Sequence, residues 1–135
     1  MNAAWVNLGC GDDLREGFIN VDNKEFTFED HQKAMVLWAD LRETWPWNDS
    51  TIDYILAQDI VEHLPDKIFT MNEMYRVLRN QGVAEIVVPS TAGPGAFQDP
   101  THVSFWNDRS FMYFENGNIY RERFAKSYGI NAKFE

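Results

Sequence analysis

Two glycines and a carboxylate are the first residues of this chain whose types and spacing suggest ligand binding. Gly9 and Gly11 bracket Cys10 directly after a short apolar run, and a second apolar run ends on Asp22. Glycine permits a tight turn and lets the backbone approach a ligand closely, because it has no Cβ. In an open α/β sheet, a carboxylate after the second strand can hold ribose hydroxyls. The pattern predicts a nucleotide-like ligand at the carboxyl edge of a sheet.

Two further apolar runs also end in polar residues. The third, 35–39, is followed by Asp40, and the fourth, 52–57, is followed by Gln58 and Asp59. A single carboxylate in this position often does no more than cap the next helix. Asp22 and Asp40 together, after successive strands and beside a glycine turn, favour ligand binding, because open parallel sheets bind ligands at that edge.

Two histidines are candidates for proton transfer, since imidazole titrates near neutral pH. His63 follows the fourth strand, and His102 lies in the loop after the fifth, where an acceptor would approach. A structural role for His63 is the alternative. A metal site built from Glu62, His63, Asp99 and His102 is another, with ligand types that suit zinc or iron. No pair among them has a tight ligand spacing, so the sequence predicts catalytic roles for His102 and His63 and no metal.

The elements that must position these residues alternate between strands and helices. Strands are predicted at 5–8, 18–21, 35–39, 52–57 and 83–89, with a last strand beginning at 130–135. Helices are predicted within 23–33 (anchored by Phe26 and Phe28), from the cap Asp66 to about 80, from the cap Asp108 to about 114, and at 118–128 with Gly129 as its stop. This order predicts an open, mostly parallel α/β sheet of about five strands with flanking helices, a Rossmann-like fold.

The connection between the first two strands is unusually short. Only residues 12–17 lie between Gly11 and Phe18. A crossover between parallel strands normally takes about a dozen residues including its helix. We therefore expect a loop or a single turn here, which disfavours the NAD-binding fingerprint with its full helix.

Composition narrows the classes of partner. The chain has 135 residues, 44% hydrophobic and 24% charged, as expected for one folded domain spanning 1–135. A formal net charge of −9 disfavours nucleic acid as a partner, because proteins that bind nucleic acid neutralise its phosphates with Lys and Arg.

No segment has the apolar length of a membrane span. The single cysteine, Cys10, cannot form an internal disulfide, so we expect a cytoplasmic protein.

Taken together, the motifs resemble those of a known enzyme family. The matching segments are Asn-Leu-Gly-Cys-Gly at 7–11, Asn-Val-Asp at 20–22, Trp-Pro-Trp at 45–47, Ile-Asp-Tyr-Ile at 52–55 and Asp-Pro-Thr-His at 99–102. In this combination the chain resembles the class I S-adenosylmethionine-dependent methyltransferases, in particular their small type 11-like branch, over residues 5–114. The resemblance implies S-adenosylmethionine as cofactor and S-adenosylhomocysteine as product. That cofactor has no phosphate, so a turn without a long following helix is tolerable.

The resemblance also implies which residues contact the cofactor on the side of the first two strands. Gly9, Cys10 and Gly11 would approach the methionine part through backbone groups. Asp22, with Asn23 beside it, would accept hydrogen bonds from both ribose hydroxyls, a charge-assisted bidentate contact.

Residues after the third and fourth strands would complete this cofactor site. The resemblance implies that Asp40 accepts a hydrogen bond from the adenine amino group while Leu41 packs on the base. Gln58 and Asp59 would face the methionine amino end or the acceptor.

The resemblance leaves the methyl acceptor open. We expect a small-molecule or glycan-type acceptor, with a catalytically inactive binding module as the alternative and a nicotinamide dehydrogenase as a weaker third reading. Members of the family normally complete the sheet with two further strands, and this chain ends where the sixth would begin. We therefore expect the edge of the fifth strand to be covered either by a homodimer or by the helix at 118–128.

Overall fold

The computed structural model describes residues 3–135, which form five strands, four α-helices and two short 3-10 helices. The strands are β1 (Trp5–Leu8), β2 (Ile19–Asp22), β3 (Met35–Trp38), β4 (Ile52–Gln58) and β5 (Leu78–Val87). The α-helices are α1 (Phe28–Lys33), α2 (Lys67–Val77), α3 (Gly95–Gln98) and α4 (Ile119–Tyr128), and the 3-10 helices are Val61–His63 and Asp108–Phe114.

All five strands are parallel and lie in one sheet with the order β3-β2-β1-β4-β5. The chain therefore winds outward twice from β1, once through β2 to β3 and once through β4 to β5. This confirms the predicted Rossmann-like open sheet. Because every strand runs in the same direction, the residues that follow β1, β2, β3 and β4 all lie at one edge of the sheet.

The centre of the sheet is buried on both faces, as expected for parallel strands. Val6 on β1 and Ala57 on β4 are fully buried, and Val21 on β2 continues the same layer. On α2, the buried face includes Met71, Met74 and Val77 among its members. The predicted cap of this helix is confirmed, since the carboxylate of Asp66 accepts a hydrogen bond from the backbone N–H of Phe69 at 2.9 Å.

A buried pair of asparagines holds the short connection between β1 and β2, which contains no helix. Asn7 donates to the side-chain oxygen of Asn20 at 3.0 Å and to the carbonyl of Asp13 at 2.8 Å. Asn20 is fully buried and bonds both the N–H and the carbonyl of Arg15, at 2.9 and 3.0 Å. Side-chain amides thus replace the backbone hydrogen bonds that a crossover helix would supply.

The tryptophan segment after β3 is fastened to α2. Trp45 is 2% exposed, and its backbone N–H donates to Glu73 Oε2 at 2.8 Å. Arg76 chelates the same carboxylate through Nε and Nη2, both at 2.7 Å, and also donates to the carbonyl of Trp47 at 2.8 Å. This pairing lowers the pKa of Glu73 and raises that of Arg76. Trp45 therefore belongs to the core.

The prediction that α2 continues to residue 80 is wrong. The helix ends at Val77, and Leu78 already pairs with Ile52 as the first residue of β5. The ladder then resumes at Val83 opposite Tyr54, so residues 79–82 form an irregular insertion in the strand. The helical spacing of Leu78 misled the prediction, because a buried leucine also fits the start of a parallel strand.

Three smaller predictions also need correction. Phe28 does not anchor α1, because its side chain is 76% exposed. The segment 108–114 is a 3-10 helix capped by Asn107, whose side chain accepts from the N–H of Arg109, and not by Asp108. The last residues do not begin a strand of the sheet; they form one isolated bridge, between Glu115 and Phe134.

The outer side of β5 faces away from the rest of the sheet. Within residues 3–135, β5 forms a ladder with β4 alone. The helix α4 packs on the 3-10 helix Asp108–Phe114, where Tyr113 stacks with Tyr120 at a ring-centroid distance of 5.4 Å. In the same described range, no helix combines the length and the apolar character that crossing a membrane requires.

Candidate functional site

The turn after β1 begins at Gly9, where only glycine fits. Gly9 has φ +62°, and a Cβ on it would lie 2.5 Å from Cδ1 of Ile60, well inside van der Waals contact. Gly11 has φ +52°, but a Cβ there would meet nothing within 4 Å. Gly11 therefore leaves open space beside the turn, and Gly9 lets the turn pack against the residues that follow β4.

Cys10 lies within the turn but faces the protein interior. Its side chain is 5% exposed, and its backbone N–H donates to the carbonyl of Val21 at 3.0 Å. Burial, with a smaller effect of the nearby Asp22 carboxylate, raises the pKa of the thiol to about 11. The thiol is therefore protonated at neutral pH and is no nucleophile. Since the backbone N–H is also used, a polar contact of Cys10 with a ligand is left to the second acceptor position of its carbonyl oxygen.

Asp22 connects the end of β2 to the glycine turn. Its Oδ2 accepts a hydrogen bond from the backbone N–H of Gly11 at 2.8 Å, and its Oδ1 accepts one from the backbone N–H of Asn23 at 2.7 Å. Each carboxylate oxygen can accept a second hydrogen bond. The two oxygens are thus held in a fixed orientation with capacity for two hydroxyl donors, which fits a ribose diol.

Trp38 is a neighbour of this carboxylate that sequence reasoning missed. It pairs with Asp22 in the β2–β3 register, its indole Nε1 donates to the carbonyl of Asn23 at 3.1 Å, and 61% of the residue is exposed. An exposed, hydrogen-bonded indole at the carboxyl edge offers a flat surface to a base. The available signal was an aromatic residue at the end of the third apolar run.

Asp40 lies after β3 and is paired with Arg42. The guanidinium donates to Oδ1 at 3.0 Å and to Oδ2 at 2.8 Å, and the backbone N–H of Arg42 adds a bond of 3.0 Å. These bonds lower the pKa of Asp40 to about 2. Leu41, between them, is 5% exposed and belongs to the core, so its side chain has little surface left to pack on a base.

Gln58 and Asp59 follow β4 at the same edge of the sheet. Both residues are exposed, and the backbone N–H of Asp59 donates to the carbonyl of Val87 at 2.8 Å. Asp59 has φ +53°, a left-handed conformation that is uncommon for residues other than glycine. The chain turns sharply here and leads into Ile60, the residue that packs on Gly9.

The structure brings the two predicted catalytic histidines together. The rings of His63 and His102 lie edge to face with centroids 4.9 Å apart. Nε2 of His63 is 3.6 Å from Oε1 of Glu62, and Nδ1 of His102 is 2.9 Å from the carbonyl oxygen of Ala96. Asp99 lies further out, with Oδ2 3.6 Å from Nε2 of His102.

Backbone hydrogen bonds hold the His102 loop against the 3-10 helix that carries His63. The N–H groups of Val103 and Ser104 both donate to the carbonyl of Glu62, at 2.8 and 3.1 Å. The hydroxyl of Ser104 donates to the carbonyl of Val61 at 2.9 Å and accepts from the buried indole of Trp106 at the same distance. Hydrogen bonds therefore connect the loop after β5 directly to the 3-10 helix that follows β4.

Two surface concavities lie away from the glycine turn. The larger, about 850 Å³, lies between α2, β5 and the last residues of the chain, and contains none of the predicted site residues. The smaller, about 580 Å³, is lined by residues 65–68 and 103–105. We place the candidate site at the carboxyl edge because the oriented polar groups converge there, and a ligand site requires such groups as well as space.

Comparison with known proteins identifies the relatives of this arrangement. A family model described as a methyltransferase domain matches residues 6–86. The fold is similar to that of a SAM-dependent methyltransferase from Archaeoglobus fulgidus, with 19% identity, a TM-score of 0.67, and coverage of 82% of this chain and 57% of the other. The YcgJ protein of Bacillus subtilis is similar at 17% identity and a TM-score of 0.64, covering 82% and 58%.

A further similar structure is the trans-methyltransferase CalH, solved as a complex with SAH, at 11% identity and a TM-score of 0.50, with coverage of 62% of this chain and 31% of the other. A comparison with curated proteins found no match. The chain spans less than two thirds of the length of the first structural neighbours.

Proposed function

Because the chain belongs to the methyltransferase-domain family, we propose that it transfers a methyl group from S-adenosylmethionine to a small-molecule or glycan-type acceptor. S-adenosylmethionine is the cofactor of this family, and S-adenosylhomocysteine is the product. The observation that carries the proposal is the carboxylate of Asp22 held by the N–H groups of Gly11 and Asn23 beside the glycine turn.

In this proposal Asp22 holds the ribose through its two unused acceptor positions. Gly9, Cys10 and Gly11 contact the methionine part through backbone groups. A Cβ on Gly11 would meet nothing within 4 Å, so the ligand has open space beside this part of the turn. Asn23 contributes its backbone, which supports both Asp22 and the indole of Trp38.

The adenine end is assigned to the residues after β3. Asp40 accepts from the adenine amino group with an acceptor position not used by Arg42, since each carboxylate oxygen can take two bonds. The indole of Trp38 takes over the stacking role expected of Leu41, whose side chain is buried. Gln58 and Asp59, exposed after β4, face the methionine amino end or the acceptor.

The bound cofactor supplies an electrophilic methyl group on a sulfonium, which reacts by in-line displacement. The protein must orient the acceptor and, for a hydroxyl or amine, receive its proton. His102 and His63 are the candidate proton acceptors because their rings lie together, where the loop after β5 meets the 3-10 helix that follows β4. For His102, the 2.9 Å contact of Nδ1 with a carbonyl oxygen favours the neutral tautomer that leaves Nε2 able to accept a proton.

Two measurements test this function. Calorimetric titration with S-adenosylhomocysteine should show one site per chain, and incubation with methyl-labelled S-adenosylmethionine and fractionated cell extract should label an acceptor. Titration with NADH, followed by its fluorescence, serves as the control for a dinucleotide site and should show no binding. No binding of S-adenosylhomocysteine would exclude the proposed function.

A catalytically inactive binding module is the second candidate. It is kept because the family match and the fold support binding of the cofactor, and neither identifies an acceptor or a transfer step. This candidate predicts binding of S-adenosylhomocysteine without methyl transfer to any extract fraction. Labelled product in any fraction would exclude it.

We also propose that the chain forms a homodimer through β5. Val83 and Val87 on this edge strand are 54% and 43% exposed, and an unpaired apolar edge is a common site of strand-to-strand association. Sedimentation should show a dimer, and hydrogen exchange should be slow along β5. A monomer with rapidly exchanging amides in β5 would contradict this.

A further inference from the structure

Glu62 is a buried carboxylate with no hydrogen-bond partner among the described residues. It is 2% exposed, and within residues 3–135 neither of its side-chain oxygens has a hydrogen-bond partner. Burying a charged group without hydrogen bonds or an ion is unfavourable by several kcal/mol, so each such group in a folded protein calls for an explanation. Both oxygens of Glu62 are therefore free to bind something that the described residues do not supply.

The two histidines beside it are oriented by their other ring nitrogens. Nδ1 of His102 lies 2.9 Å from the carbonyl oxygen of Ala96, and Nδ1 of His63 lies 3.3 Å from the carbonyl oxygen of Thr101. A carbonyl oxygen can only accept, so in the neutral form of each ring Nδ1 carries the proton and Nε2 keeps a lone pair. A ring held by a backbone carbonyl in this way is the usual arrangement of a metal-binding histidine.

The hydroxyl of Thr101 supports the same assignment for His63. It donates to Oδ1 of Asp99 at 2.7 Å, which leaves its oxygen as an acceptor 3.3 Å from Nδ1 of His63. The proton on Nδ1 of His63 thus has two acceptors, and its Nε2 remains directed toward Glu62 at 3.6 Å.

One ligand atom from each of Glu62, His63 and His102 lies within 4.8 Å of the other two. We propose that these three side chains bind one divalent transition-metal ion, best matched by Zn²⁺, with a fourth position open to water or to an acceptor oxygen. One carboxylate and two imidazoles are a known zinc ligand set with an open position. Neighbouring ligands of a tetrahedral zinc ion are roughly 3.4 Å apart, so rotation of the side chains has to bring the atoms together by up to about 1.4 Å.

The backbone around the cluster is already arranged for such a site. The loop that carries His102 is bonded through Val103 and Ser104 to the carbonyl of Glu62 itself, so the three ligands belong to one connected unit. This inference does not rest on the proposed function: with the ion bound, both Nε2 atoms are ligands, and the histidines do not then act as the proton acceptors proposed above. Metal binding can be measured without S-adenosylmethionine or an acceptor.

The test uses the full chain without a histidine tag, stripped of metal with a chelator. It is titrated with Zn²⁺ in competition with a fluorescent zinc chelator, and with Mg²⁺ in parallel. We expect one Zn²⁺ ion to bind per chain. Mg²⁺ should not displace the bound Zn²⁺, because Mg²⁺ prefers oxygen ligands. His63→Ala and His102→Ala should each weaken Zn²⁺ binding by more than about 100-fold, the upper range for loss of a supporting residue.

His31→Ala is the matched control. His31 is the remaining histidine of the chain and is exposed on α1, so this variant should bind Zn²⁺ as the unmodified chain does. Equal Zn²⁺ affinity in His63→Ala, His102→Ala and His31→Ala would show an adventitious surface ion and overturn the proposal.

Glu62→Gln separates metal binding from folding. The amide has nearly the shape of the carboxylate but no charge to bury, so the metal-free variant should unfold at a temperature no lower than the metal-free unmodified chain. It should nevertheless lose tight Zn²⁺ binding, and added Zn²⁺ should no longer raise its unfolding temperature. A Glu62→Gln chain that is stabilised by Zn²⁺ as strongly as the unmodified chain would contradict the assignment, whatever the result with S-adenosylhomocysteine.

Discussion

The backbone N–H of Gly11 donates a 2.8 Å hydrogen bond to Oδ2 of Asp22, and this bond joins the turn after β1 to the end of β2. Gly11 follows β1 and Asp22 ends the neighbouring parallel strand β2, so the bond spans the carboxyl edge of the sheet. It fixes the rotation of the carboxylate and leaves one acceptor position on each oxygen for a ligand. The same side chain therefore supports the turn and presents the group expected to bind the ribose.

Replacing Asp22 with Ala should weaken the binding of S-adenosylhomocysteine. Loss of a charge-assisted hydrogen bond costs about 1.5–3 kcal/mol, which corresponds to about 10- to 150-fold in the dissociation constant. Calorimetry on the purified variant measures this directly. Asp108→Ala removes an equal charge from an exposed position on the 3-10 helix Asp108–Phe114 and should leave the affinity unchanged. Equal affinities in the two variants would remove Asp22 from the binding site.

Gly9 and Gly17 form a matched pair for testing the turn. Both have positive φ, but a Cβ on Gly9 would meet the side chain of Ile60 at 2.5–2.7 Å, whereas one on Gly17 meets nothing within 4 Å. Gly17→Ala should therefore lower the free energy of unfolding only by the backbone strain, about 1–2 kcal/mol. Gly9→Ala adds the overlap with Ile60 and should lower the free energy of unfolding by at least about 3 kcal/mol.

Urea unfolding of the two glycine variants gives this comparison. A Gly9→Ala chain as stable as Gly17→Ala would mean that Ile60 moves aside freely, and that the turn does not depend on this contact.

Local sequence signals predicted the parts of the fold that depend on neighbouring residues. The strand Trp5–Leu8, the cap at Asp66 and the stop at Gly129 follow from apolar runs and from residues with specific backbone roles. Local signals cannot place Leu78, because a buried leucine suits either a helix end or a strand start. Its actual partner, Ile52, lies in another strand and is chosen by tertiary packing.

In the candidate site, too, some features follow from the order of residues in the chain and others depend on tertiary packing. Asp22 and the glycine turn could be found from their order in the chain, because parallel strands necessarily end at one edge. The contact of His63 with His102 could not be predicted from the sequence, because it depends on the loop that contains Val103 and Ser104 folding back onto Glu62. No spacing in the sequence encodes that return of the chain.

Asn20 should be the most costly polar residue to replace in the connection between β1 and β2. Its side chain is fully buried and bonds Asn7, both backbone groups of Arg15, and the carbonyl of Met35 at 3.0 Å. Asn20→Ala leaves several of these groups buried without a partner, each at about 1–3 kcal/mol, so we expect a total loss of about 2–4 kcal/mol after relaxation.

Asn80→Ala is the control for this variant, since Asn80 is exposed and should change stability by less than about 0.5 kcal/mol. Chemical unfolding of both variants provides the measurement. A loss in Asn20→Ala no larger than that in Asn80→Ala would show that the short crossover is held by other contacts.

The thiol of Cys10 should react slowly with iodoacetamide until the pH is strongly alkaline. Its pKa is about 11, against an ordinary value of 9.0, because burial disfavours the thiolate. At pH 9 the folded chain then has about one fiftieth of the thiolate of an unfolded chain, and alkylation should be slower at least in that proportion. The pKa of the thiol is higher in the folded chain than in the unfolded chain. Its contribution to the free energy of unfolding is therefore complete below pH 9 and is lost as the pH rises through 11. Cys10→Ala should therefore lose less stability than the unmodified chain between these two values, as measured by urea unfolding across the range. Rapid alkylation of the folded chain at pH 8 would show that the turn opens readily and that Cys10 is accessible from the ligand side.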